Sequence, residues 1–205
     1  KVSWEDVQVF LSRLNEAEQA AGRLPAGWAY VLPTESQWEY ACRAGTTTAF
    51  SFGDSLSSTQ ANFIGTSPYG GAPTGPYLQQ TTDVGSYAAN PWGFFDMHGN
   101  VREWCSDWKA NYPSGPLTDP TGPADGSKCV DRGGAWNRGA RGLRSAVRRG
   151  YEPDYRLFNL GFRVAFRNIL PAGSVTLDKL APDLSDLLDG NGTIEQALPA
   201  GSVIA

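Results

Sequence analysis

The stretch Leu32-Pro33-Thr34-Glu35-Ser36-Gln37-Trp38-Glu39-Tyr40-Ala41-Cys42-Arg43-Ala44-Gly45 decides the fold. Thr34 is a helix-capping residue, and Gln37, three positions on, can return a hydrogen bond to its amide. Trp38 and Ala41 then share one face and Gly45 is the stop, which predicts a short helix with one buried side. Upstream, Ser3-Trp4-Glu5-Asp6 has the same capping form. Val7, Phe10, Leu11 and Leu14 follow at i, i+3, i+4 and i+7 and predict a first helix to about Gly22.

Beyond Gly45 the helical period disappears. From Thr46 to Asn90 Gly, Pro, Ser, Thr and Tyr dominate, as in Ser67-Pro68-Tyr69-Gly70-Gly71-Ala72-Pro73. Ordered loops of that length need a side-chain network or a bound ion to hold them. Short strands are expected near Thr82–Tyr87, Val101–Cys105, Val130–Ala135, Leu143–Val147 and Gly161–Phe166, the last from the alternation of Phe162, Val164 and Phe166 with Arg163 and Ala165. The pattern is α+β, loop-rich, with two N-terminal helices and short antiparallel strands.

The 205 residues allow one buried domain plus an appendage, and a boundary falls after Arg167. Residues 1–167 form the domain and 168–205 an acidic tail. In the tail Leu170-Pro171-Ala172-Gly173-Ser174-Val175 recurs as Leu198-Pro199-Ala200-Gly201-Ser202-Val203, a period of 28 residues. That repeat reads as a stalk or oligomerisation segment continuing past Ala205, or as a linker. The start at Lys1 without an initiator Met reads as a fragment. No run approaches a membrane span, and no signal peptide is present.

A net charge of −4 gives no general attraction to nucleic acid. Yet Arg132, Arg138, Arg141, Arg144, Arg148, Arg149, Arg156 and Arg163 crowd one region, as partners for carboxylates and carbonyls or as an anion site. Cys42, Cys105 and Cys129 lack metal-type spacing, and His98 cannot build a zinc or iron centre alone. One disulfide and three buried thiols both remain open.

These blocks together resemble the formylglycine-generating-enzyme (sulfatase-modifying factor) family. The Leu32–Gly45 stretch resembles its LPTE-x-x-WEYA-x-RAG signature. Ala61-Asn62-Phe63, the run from Asn90 to Trp104 (NPWGFFDMHGNVREW), Arg132-Gly133-Gly134 and Gly161-Phe162-Arg163 match in order. The resemblance implies a C-type-lectin-like fold with little regular secondary structure, and a missing segment before Lys1. It makes His98 architectural, puts Trp104 and Trp108 in the core, and allows a structural calcium on Asn100 and Glu103, which are hard oxygen donors.

In the family, formylglycine formation resembles copper-dependent oxidation at a cysteine pair between the Gly-Gly and Gly-Phe-Arg blocks. Thiolates are needed there to hold soft Cu(I) and engage the substrate cysteine. This chain has no cysteine between Gly134 and Phe166. The disulfide the resemblance would place at Cys42 loses its partner, since Ser145 stands there. A related iron class forming sulfur–carbon bonds needs several histidines, and only His98 exists. No cofactor is required by this reading.

A non-enzymatic branch, the variable proteins diversified by retroelements, resembles the stretch in RGGSW-x-x-x-AR-x-LRSA-x-R-x-x-x-x-PD-x-R-x-x-x-LGFR. The open positions are Asn137, Arg138, Gly139, Gly142, Val147, Arg149, Gly150, Tyr151, Glu152, Tyr155, Leu157, Phe158 and Asn159. Adenine mutagenesis of an AAC codon never yields Lys, Gln, Glu, Met or Trp, and only Glu152 breaks that limit. Tyr, Phe and Arg are recognition chemistry. The framework, expected to bury Trp136, Leu143, Leu160 and Phe162, would hold these thirteen positions as an exposed binding face for a protein or surface ligand. A cell-surface or secreted setting fits that role. The alternatives are an oxidase acting on sulfatase cysteines and a structural envelope protein assembled through its tail.

Overall fold

The computed structural model describes residues 1–169, and the repeat-bearing segment, expected as a stalk, an oligomerisation segment or a linker, lies outside them. Helix α1 spans Trp4–Ala20. Ser3 Oγ accepts the Asp6 amide proton at 3.1 Å while the Ser3 amide donates to the Asp6 carboxylate at 2.9 Å. Val7 and Leu11 are buried on its inner face, but Phe10 is 46% exposed and meets Phe162 edge-on instead. Strand β1 is Trp28–Val31. Helix α2 spans Glu35–Arg43 with the Thr34/Gln37 box complete. Its left-handed cap is Ala44 (φ 47°) rather than Gly45, which follows it in the same region of φ. Ala44 is buried, so packing outweighs the cost of placing a Cβ there.

The remaining elements are β2 (Arg102–Trp108), β3 (Cys129–Arg132), a 3-10 turn (Ala140–Leu143), β4 (Arg148–Tyr151), β5 (Leu160–Phe162) and β6 (Ala165–Asn168). The main sheet runs β4-β3-β2-β5, and β1 pairs with β6 apart from it. Three of the four strand pairs are antiparallel, as expected, and the β2–β5 pair is parallel.

Three strand expectations also change. Gly161–Phe166 is not one strand: it breaks at Arg163 and Val164, and its halves join different sheets. Arg163 is drawn to Glu103 instead, its Nε donating at 2.6 Å. Thr82–Tyr87 is a loop, its Thr82 amide donating to Asn100 Oδ1 at 3.0 Å and Ser86 Oγ to Asp83 O at 2.6 Å. Leu143–Val147 forms turns, with Ser145 N–H on Ala49 O and Val147 N–H on Arg144 O, and the strand starts only at Arg148.

Three apolar clusters form the core. Val7, Leu11, Leu32, Trp104, Cys129 and Leu160 fill the space under α1. Phe50, Leu56, Phe63 and Leu143 fill a second, and Trp38, Cys42, Met97, Cys105 and Val130 a third beneath α2. Trp104 is fully buried, whereas Trp108 is half-buried at the edge of the first cluster.

The long loops are held by amides. Asn62 Nδ2 donates to Gln80 O and to Asn100 Oδ1, and Asn100 Nδ2 donates to Thr82 O. Asn90 Nδ2 donates to Ala41 O, while its Oδ1 accepts the Trp92 and Phe94 amides. The chain passes so close at Gly99 that an added Cβ would stand 2.3 Å from Asn62 O. Glycine is required there on steric grounds alone.

Between α2 and the sheet lies a layer of ion pairs. Arg132, with a fully buried side chain, reaches Glu39 and stands 3.6 Å from Glu35. Arg148 forks onto Glu35, and Arg163 onto Glu103, which also accepts Trp38 Nε1 at 2.6 Å. This layer fixes β3, β4 and the end of β5, and hence the segment between them.

Candidate recognition surface

The segment from Trp136 to Asn159 rests on one buried arginine. Arg102, 1% exposed on β2, donates Nη1 to Tyr151 Oη at 2.6 Å and Nη2 to Asn159 Oδ1 at 2.9 Å. Its guanidinium also lies 4.9 Å from the Tyr151 ring centre. Asn159 in turn donates to Asn137 Oδ1 at 2.7 Å. Tyr155 stacks on Tyr151 with centroids 4.9 Å apart and planes 11° apart. Beyond Asn137, Trp136 stands between Tyr77 (6.2 Å) and Phe158 (5.7 Å). The result is a run of polar and aromatic groups, Tyr155–Tyr151–Arg102–Asn159–Asn137, continued by Phe158–Trp136–Tyr77.

Tyr155 is 40% and Phe158 54% exposed, so both rings face solvent. Strand alternation puts Arg149 on the face of β4 that carries Tyr151. Arg149 and half-buried Arg138 both act on Asp131 beneath them. That carboxyl is 1% exposed, and burial lifts it to about 6 despite Arg102, whose Nε is 3.8 Å away. Gly139 and Gly142 form the turn flanking Arg138, with Gly142 N–H on Gly139 O at 2.8 Å.

Other expected positions turn away from this face. Gly150 points to the opposite side of β4, where an added Cβ would strike Lys109 Cδ at 2.5 Å. Glu152 pairs with Lys128 across 3.4 Å of exposed surface. Leu157 packs on the first core cluster, and Val147 is half-buried beside the turn at Arg144. Asn159 is 1% exposed and is a support, not a contact residue. Two expected framework burials also shift: Trp136 and Phe162 are only half-buried, and Trp136 belongs to the aromatic row, while Leu143 and Leu160 are buried as expected. Tyr77 and Arg102 are the members missed in the sequence; neither lies in the patterned stretch.

Asn100 and Glu103, the expected calcium donors, are each engaged elsewhere. Both Glu103 oxygens accept from Arg163, and Asn100 Oδ1 accepts from Asn62 and Thr82. A cation at this pair would share the Glu103 oxygens with the Arg163 guanidinium. His98 is 3% exposed, donates Nδ1–H to Leu143 O at 2.8 Å and accepts the Ser51 amide on Nε2 at 3.1 Å. Burial lowers it to about 4, which leaves a neutral ring with a fixed tautomer.

All three cysteines are free and buried. Desolvation pushes Cys42 and Cys129 up to about 12 and Cys105 well above its ordinary range, so each is held as a thiol. Cys42 Sγ faces Ser145 Oγ at 3.7 Å, the pairing position the family resemblance assigned to a disulfide.

The chain is 37% identical over 153 residues to formylglycine-generating enzyme of Streptomyces coelicolor, covering 70% of this chain and 48% of that protein. It is 37% identical over 139 residues to serine/threonine-protein kinase pkn1 of Chlamydia caviae, covering 65% of this chain and 20% of the kinase. It thus spans from a fifth to about half the length of these relatives. Among solved structures, variable protein 1 of Treponema denticola aligns with a TM-score of 0.55 and 31% identity, over 68% of this chain and 48% of that one. PvdO from Pseudomonas aeruginosa aligns with a TM-score of 0.64 and 28% identity, over 82% and 60%. The sulfatase-modifying factor enzyme 1-like domain matches residues 1–168, and this chain belongs to that family, with its C-type-lectin-like fold.

Proposed function

We propose that the chain is a non-catalytic binding module whose contact face is the exposed part of the 136–158 segment. The carrying observation is the pairing of solvent-facing Tyr155 and Phe158 with an immobile base of Arg102, Tyr151 and Asn159. Aromatic rings held this way give contact area at little entropic cost. Arg138, Arg141 and Arg149 have no carboxylate within ion-pair distance among the described residues, which suits a protein or surface ligand with acidic groups. Likeness to variable protein 1 of Treponema denticola supports retroelement diversification of this face. A cell-surface or secreted setting accords with that role. Among the described residues no helix is long and apolar enough to cross a membrane.

The oxidase reading draws on the similarity to formylglycine-generating enzyme. Against it stand three buried, high-pKa thiols and a 135–166 segment without cysteine. Copper binding and turnover would need a thiolate pair that these residues do not offer.

Two experiments test the proposal. Sequencing the locus should find a near-identical repeat with adenines at the open codons and a reverse transcriptase; finding neither removes the diversification claim. A display library randomised at Arg138, Arg149, Tyr155 and Phe158 should stay folded and yield binders to an unrelated protein such as lysozyme. Loss of folding in most members would refute the separation of face from scaffold.

A further inference from the structure

A second concavity lies on the other side of the sheet and is independent of the recognition face. Alternation along β4 sends Arg148 toward α2, opposite to Arg149 and Tyr151. There a cleft of about 720 Å³ opens between α2 and the loop around residues 110–123, within the size range of small-ligand sites. Exposed Tyr40, Tyr112 and Leu117 wall it, with several prolines from the loop.

Two of its three carboxylates are already satisfied. Glu35 takes the Arg148 fork and the Tyr112 hydroxyl (3.3 Å), and Glu39 takes Arg43 and Arg132. Asp107 differs. Its Oδ2 accepts the Glu35 amide at 2.8 Å and Ser106 Oγ at 3.1 Å, capping α2. No described residue donates to its Oδ1, although the residue is 5% exposed and lines the cleft. A carboxylate oxygen that opens to the cleft with no described donor accepts readily from an N–H cation, while Arg148 already stands 4.3 Å from the Tyr112 ring centre and leaves that ring to pack the stem.

We propose that this cleft binds a protonated amine or guanidinium on an apolar stem, with an N–H donated to Asp107 Oδ1. The stem lies against Tyr112 and Leu117. The group comes from a free amine or from a Lys or Arg side chain of a peptide.

Calorimetric titration of the whole chain with 4-phenylbutylamine, 4-phenylbutanol and a blocked Lys-containing pentapeptide tests this. The amine or the peptide should bind saturably, and the alcohol at least about tenfold more weakly than the amine, the loss expected when a charged hydrogen bond is absent. Peptide binding well above that of the amine assigns the peptide source; the reverse assigns the free amine. Asp107→Asn should weaken the amine by a similar factor and leave the alcohol unchanged. Should that variant fail to fold through its lost cap, Leu117→Arg, at an exposed site, should abolish amine binding by placing a cation at the mouth. Equal affinity for amine and alcohol overturns the proposal. So does full amine affinity in a folded Asp107→Asn or in Leu117→Arg, or no binding of either nitrogen ligand at millimolar concentration.

Discussion

The arginines that pair with acids of α2 and β2 and the two on the opposite face, Arg138 and Arg149, are the same residue type put to opposite uses. Arg132, Arg148 and Arg163 each end on a carboxylate of α2 or β2, and their side chains are at most a quarter exposed. Among the described residues Arg138 and Arg149 meet no carboxylate within ion-pair distance, and both act on the buried Asp131. The first set welds strands to a helix. The second, on the proposed binding face, keeps its charge for the proposed ligand. The lesson is that the local pattern fixes neither role; the acid that arrives from elsewhere in the chain does.

The comparison breaks most sharply at Arg132. Replacing it with Met strips Glu35 and Glu39 of a shared buried partner and should cost about 3–5 kcal/mol, the range for a broken buried pair. The urea midpoint should drop accordingly, and a loss below about 1 kcal/mol would place Arg132 with the free arginines.

His98 sharpens the contrast on the scaffold side. Its folded value of about 4 lies below the ordinary 6.5, so its contribution is complete above pH 6.5 and disappears as pH falls toward 4. That is worth about 3 kcal/mol. Asp131, raised to about 6, runs the other way: its contribution is greatest below pH 4 and is lost as pH rises through 6. The difference between wild type and His98→Gln across pH 4–6.5 isolates the first effect, and a flat difference would contradict it.

Asn159→Ala should cost about 1–3 kcal/mol by leaving Arg102 short of an acceptor in the interior. At the other extreme, Arg149→Ser and Tyr155→Ser should each shift stability by no more than about 0.5 kcal/mol. A melt of Tyr155→Ser resembling that of Asn159→Ala would merge face and support.

Both helices were legible because capping is local: Ser3/Asp6 and Thr34/Gln37 close within four residues. Strand alternation misled at Arg163, where attraction to Glu103, 60 positions away, interrupts the run. Within the patterned stretch, Tyr155 and Phe158 were readable as surface, since spacing separated them from Leu143 and Leu160. Asn159 looked equally free because nothing nearby reveals that Arg102 comes from a parallel neighbour strand. Tyr77 and the Asp107 cleft were invisible for the same reason: they depend on loops with no period of their own.

On the proposed function this scaffold acts by contact and not through its thiols. Mass spectrometry of a CxPxR peptide incubated with the copper-treated protein under air tests it most directly. A binding module leaves the peptide cysteine unmodified at all times. Conversion to formylglycine would contradict it.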